Sequence, residues 1–170
     1  MNKFSFIRVL IAPVIILAIQ ILLLNHVHLL GMAVPFIYIF IIMMMPYRTA
    51  PYVLMIAGFS LGLFVDIFMN TIGLNAAATS FLAFLRPTII RIISKKDYSE
   101  ISSSPSVASN GMLWFISYTL LCCLFHELFL YTLESFSFAN YAQLLFRTTT
   151  GSLSSALIII VIELLTSKKK

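Results

Sequence analysis

The chain has 170 residues, 61% hydrophobic and 10% charged, with a mean hydropathy of +1.03. A soluble domain carries about 45–50% apolar and about 25% charged residues, so this composition leaves too little polar surface to cover a water-soluble core and implies an integral membrane protein. The net charge of +5 does not indicate a nucleic-acid partner, because Lys and Arg stand at the edges of apolar runs and form no basic patch interleaved with aromatics.

A helix needs about 20 mainly apolar residues to cross the bilayer core at 1.5 Å per residue. Six stretches meet that requirement, at about 6–24, 29–45, 52–71, 74–93, 112–131 and 141–166, within a single membrane domain over 1–170. Lys3 and Arg8 precede the first, as in a signal peptide. Its apolar residues continue from Val9 to Leu24 without a small-x-small cleavage site, so it is expected to be a retained span. The second span follows residues 25–28, and Pro46 and Pro51 then bracket the link to the third.

The third span carries Gly58, Gly62 and Asp66 at i, i+4 and i+8, along one stripe of a helix. Two glycines four apart let a neighbouring backbone come close, which matters in lipid, where hydrophobicity gives helices little reason to associate. An acid at the bilayer centre costs about 2.5–3.5 kcal/mol, a cost one apolar helix can absorb. Asp66 is therefore expected to face the bundle as a polar clamp. If the turn over 70–73 makes spans three and four antiparallel, Asp66 comes level with Thr79, and Asn75 lies near Asn70. In the fourth span Pro87 bends the helix, and Arg86 is expected to donate to the freed carbonyls or to reach the headgroups.

Residues 94–111 form a polar, serine-rich cytoplasmic loop too short for a domain. Cys122 and Cys123, adjacent within the fifth span, suit core thiols better than a strained disulfide. Folding spans five and six about residue 137 brings Glu127 and Arg147 to one level, and an ion pair between them is expected. His126 lacks a third ligand at useful spacing and is expected to be structural. Thr148, Ser152 and Ala156, with Gly151 and Ser155 beside them, repeat a small-residue stripe in the sixth span.

Lys3, Arg8, Arg48, Arg86, Arg91, Lys95, Lys96 and Lys168–Lys170 fall toward one side of this six-span path, and Arg147 falls on the other. The positive-inside rule then makes both termini cytoplasmic, with the final lysines as interfacial anchors. No nucleophile with a base, metal-ligand cluster, phosphate loop or paired carboxylates appears at workable spacing. No catalytic, cofactor-binding or metal residues are therefore expected.

The stretch "GFSLGLFVDIF" followed by "NTIGLNAAATSFLAFLRP", within six spans, resembles the rod shape-determining protein MreD family of the bacterial cell-elongation machinery. The signature is concentrated between Gly58 and Pro87, in Gly58, Gly62, Asp66, Gly73, Leu74, Asn75 and Arg86; Asn75 stands where many members have His. The resemblance implies a non-enzymatic scaffold of the bacterial inner membrane without cofactors. Such a scaffold would bind MreC, a single-span protein with a periplasmic domain. Through it, the scaffold would help couple MreB filaments to the peptidoglycan synthase and transpeptidase of the side wall. Within it Gly58, Gly62, Asp66, Gly73, Asn75 and Arg86 would serve helix packing and partner assembly. The architecture implied is similar to the six-helix substrate-binding subunits of energy-coupling-factor vitamin transporters, so a small-molecule-binding transporter subunit is the alternative function.

Overall fold

The computed structural model describes residues 3–27, 33–94, 104–135 and 141–167, with side chains in the first helix described from residue 11. The helices are α1 (Lys3–Leu22), α2 (Ile39–Met43), α3 (Pro51–Met69), α4 (Leu74–Ile93), α5 (Val107–Asn110), α6 (Met112–Ser135) and α7 (Tyr141–Ser167). A 3₁₀ turn over Leu24–His26 follows α1. Four of these, α3, α4, α6 and α7, are long and apolar enough to cross a membrane, and the fold is that of a multi-pass membrane protein. In sequence order they form a packed row: α3 lies on α4, α4 on α6, and α6 on α7. The described face of α1 buries Ile16 and Gln20 while Val14, Ile15 and Leu22 remain exposed, as lipid requires of an apolar helix.

The stretch expected as the second spanning helix differs. Residues 29–32 lie outside the described residues, 33–37 are non-helical, and helix resumes only over Ile39–Met43. Pro35 supplies the local reason, since it removes one backbone donor and holds Val34 away from helical ψ. Despite its irregular backbone this segment is the centre of the molecule, with Ala33, Phe36, Ile37, Tyr38, Ile39 and Ile42 almost wholly buried. Irregular backbone at membrane depth persists only where protein satisfies its polar groups, and here side chains of three helices do so. Gln20 accepts from Ile37 N at 2.7 Å and Tyr38 N at 3.4 Å, and donates to Pro35 O at 3.1 Å. Phe36 N donates to Ser155 Oγ at 2.8 Å, and Val34 N to the Tyr131 hydroxyl at 3.3 Å.

The turn between α3 and α4 is shaped by two left-handed residues, Asn70 at φ 55° and Gly73 at φ 72°. Only residues tolerant of that region make so short a reversal without strain. The glycine seam then closes. A Cβ on Gly62 would fall 2.5 Å from Ala76 Cα, and one on Gly58 would fall 2.9 Å from Thr79 O. Backbone-to-backbone approach of this kind is what the GxxxG spacing implies. Cys122 and Cys123 are buried free thiols, as expected.

Candidate functional site: a buried polar core

Asp66 lies on the buried stripe of α3, 1% exposed, and its carboxylate meets the start of α4. Oδ1 accepts from Asn75 N and Asn75 Nδ2, both at 3.0 Å, and from the Thr71 hydroxyl; Oδ2 accepts from Ala76 N at 2.9 Å. An acid of one helix thus caps the N-terminus of the next, where orphan amides and the helix dipole favour negative charge. The clamp expected from sequence is present, with Asn75 as its side-chain amide partner and Thr71 in place of Thr79 as its hydroxyl partner. Thr79 stands one turn deeper than Asp66 and bonds elsewhere, and Asn75 meets Thr71 rather than Asn70.

Asn75 joins the cap to a second cluster. The Tyr38 hydroxyl lies 2.7 Å from Thr79 Oγ1, 3.3 Å from Asn75 Oδ1 and 3.1 Å from His126 Nε2. Thr79 commits its proton to Asn75 O at 2.8 Å. The single Tyr38 proton has Thr79 Oγ1, Asn75 Oδ1 and His126 Nε2 within reach, and the His126 tautomer follows from which of them takes it. His126 Nδ1 is left without a hydrogen-bond partner, and Phe36 and Tyr38 pack edge-on against its ring. The structural role expected of His126 fits this setting, and no group of three or more metal-ligating side chains comes together among the described residues.

Glu127 does not make the expected pair with Arg147. It is fully buried, with Oε1 accepting from Ser155 Oγ at 2.6 Å and Oε2 lacking a hydrogen-bond partner. Arg147 instead bonds both oxygens of Glu134, at 2.9 and 3.1 Å, and lies 4.4 Å above the Tyr131 ring. The error was one of register. Arg147 meets Glu134 while Glu127 meets Ser155, so Glu127 lies seven residues along α6, about two turns, deeper than the level of Arg147. Gly151 faces Glu127 so closely that a Cβ there would lie 3.0 Å from its Cδ. Thr148, Ser152, Ser155 and Ala156 are buried beside it, as the small-residue stripe implies.

Arg86 is fully buried near the far end of α4. It neither reaches the headgroups nor bonds the carbonyls freed by Pro87. It donates from Nε to the Tyr118 hydroxyl at 3.0 Å and from Nη2 to Met43 O at 3.3 Å and to Met45 O. Tyr118 also donates to Met43 O, at 3.1 Å. A cation at the carbonyl end of α2 is the electrostatic counterpart of Asp66 at the amide end of α4. Nearby, Glu163 accepts from Val107 N at 3.1 Å. Lys95, Lys96 and Lys168–Lys170 lie outside the described residues.

Sequence reasoning missed Gln20, Tyr38, Tyr118 and Tyr131. A glutamine and phenolic hydroxyls within apolar runs were visible, but apart from the Gln20–Asn25 bond their hydrogen-bond partners are 15 or more residues away and carried no local signal. Beside Tyr131, at the end where α3 turns into α4, lies a cavity of about 180 Å³. Val34, Phe36, Met69, Leu74 and Leu130 form its apolar wall, and Thr71, Asn75, Tyr131, Glu134 and Arg147 its polar part. Comparison with protein families, curated proteins and solved structures found no match.

Proposed function

We propose that this chain is a non-enzymatic scaffold of the bacterial inner membrane, a counterpart of MreD. In this reading it binds MreC and helps couple MreB filaments to side-wall peptidoglycan synthesis. It has six membrane passages with both termini cytoplasmic, the passages being α1, the 33–45 segment and the four long helices. Val34 and Met43 bond Tyr131 and Tyr118, which are about 20 Å apart along α6 at 1.5 Å per residue. The broken segment therefore covers most of the depth a spanning helix would.

The observation that carries the scaffold reading is how the ionisable core groups are used. Of the two charges within the family-like stretch, Asp66 is consumed as a helix cap, and Arg86 spends Nε and Nη2 on Tyr118, Met43 and Met45 while its buried Nη1 has no hydrogen-bond partner. A transport path needs polar groups left open to cargo along its length, whereas these fix helices in place. The vitamin-transporter alternative draws on the cavity, but pockets for drug-sized ligands have about 300–1,000 Å³ and this one has about 180 Å³. Depletion in the encoding bacterium tests the proposal. Rounded cells, with MreC co-purifying stoichiometrically with this chain before depletion, are expected. Cells that stay rod-shaped, or a purified chain that retains a vitamin-sized ligand and no MreC, would overturn it.

A further inference from the structure

Two amides of the broken segment are held by hydroxyls, and a hydroxyl that accepts must send its own proton elsewhere. Phe36 N donates to Ser155 Oγ at 2.8 Å, and Ser155 in turn donates to Glu127 Oε1 at 2.6 Å. The carboxylate thus draws the serine proton away from the amide and leaves a lone pair facing it. Val34 N donates to the Tyr131 hydroxyl at 3.3 Å. Tyr131 stands one turn from Glu127 on α6 and is buried, and a buried phenol needs an acceptor for its proton. The second carboxylate oxygen, Glu127 Oε2, is buried without a hydrogen-bond partner. Gly151 is where the two meet. A Cβ there would overlap Oε2 and stand 3.4 Å from the Tyr131 oxygen, so both oxygens border one notch that glycine leaves open.

We infer that Glu127 is the positioning residue of the broken segment: its two oxygens take the protons of Ser155 and Tyr131, and the hydroxyls so oriented accept from Phe36 and Val34. One carboxylate then serves two amides that it does not touch, through a hydroxyl of its own helix and through one of α7. An ionised carboxylate suits the place, because it only accepts and has two oxygens with which to do so. The role also accounts for Gly151, whose missing side chain gives the carboxylate its room. The inference rests on the geometry of α6, α7 and the 33–37 backbone and is independent of the scaffold reading.

Residue-resolved amide exchange, followed by NMR on the full chain in detergent, tests it. Glu127→Leu removes both acceptors, and Val34 and Phe36 should each exchange at least tenfold faster. Ile37 and Tyr38, which Gln20 holds, should stay within twofold of wild type. Glu127→Gln keeps the shape and one acceptor oxygen, so at least one of the two amides should lose protection tenfold while Ile37 and Tyr38 keep theirs. Adding Glu127→Leu to Tyr131→Phe should speed Val34 no further than Tyr131→Phe does alone, because a residue that acts through a hydroxyl then has nothing left to position. Thr148→Val is the control. Its hydroxyl is buried without a hydrogen-bond partner, one turn before Gly151 on α7, and Val34 and Phe36 should exchange as in wild type. Release of Val34 by Thr148→Val, additive effects in the double variant, or equal acceleration at residues 34 and 36–38 in Glu127→Leu would each overturn the proposal. If Glu127→Leu aggregates, the nearly isosteric Glu127→Gln decides, and wild-type protection of both amides there would refute the double-acceptor role.

Discussion

The α3–α4 hairpin and the 33–45 segment solve the same problem, satisfying backbone polar groups in an apolar bundle, by opposite means. In the hairpin the acceptor is one carboxylate, and its donors Thr71, Asn75 and Ala76 follow within ten positions. In the segment each amide is met by a side chain from far along the chain: Ile37 by Gln20 at a separation of 17, Val34 by Tyr131 at 97 and Phe36 by Ser155 at 119. The hairpin can form as soon as its own residues exist, at low loop-closure cost. The segment is stable only when α1, α6 and α7 are all in place. Irregular backbone in lipid is thus a property of the assembled bundle and helical backbone a property of the strip of sequence.

The sharpest way to break this contrast is Asp66→Leu. It leaves the Asn75 and Ala76 amides unmatched at a buried helix start, at about 1–3 kcal/mol each. A total loss of about 3–5 kcal/mol is expected, with membrane insertion intact. In detergent the midpoint of thermal unfolding should drop by about 10 °C at roughly 2–4 °C per kcal/mol, and partner recovery should fall with it. An unchanged midpoint would remove the hairpin's claim to autonomy.

Next comes Gln20→Leu, which strips the acceptor from Ile37 and Tyr38 and should cost about 2–4 kcal/mol. Hydrogen exchange separates the two regions. Gln20→Leu should speed exchange at Ile37 and Tyr38 and leave Asn75 and Ala76 protected, and Asp66→Leu should do the reverse. Exchange that rises equally in both regions for either variant would show one cooperative unit in place of two.

Gly62→Ala should cost about 1–3 kcal/mol, because the new methyl meets α4 backbone that has no flexible end to swing aside. Gly58→Ala, with a looser approach, should cost less. The smallest effect belongs to Glu134→Gln. Its partner Arg147 is part-exposed, so under 1 kcal/mol of stability is expected to change. A larger loss would show that these two residues hold the ends of α6 and α7 together more firmly than a surface pair can.

Much of the hairpin was legible because its determinants are local. Gly58, Gly62 and Asp66 share a face by arithmetic, and the turn at Asn70 to Gly73 sets who can meet across it. Even so, the sequence points only to hydroxyl and side-chain amide partners for Asp66; the Asn75 side chain is one of them, but the backbone amides of Asn75 and Ala76 bond it too. A carboxylate at a helix end serves backbone donors that side-chain pairing alone does not reveal. The Glu127–Arg147 pair failed for a related reason. The register of two long helices depends on where each stops, and a shift of a few residues moves a side chain by a full turn.

By itself the amino-acid sequence determined that this chain lives in a membrane, where most of its long helices lie, and that α3 turns a glycine-lined, acid-bearing face to its neighbour. Those are consequences of hydrophobicity and helical period, which each stretch carries alone. The tertiary structure decided that the 33–45 run is broken and threaded through the core, that Arg86 caps α2, and that Glu134 rather than Glu127 meets Arg147. Each of these depends on groups brought together from distant parts of the chain, where the need to satisfy every buried polar atom outweighs what any one segment prefers.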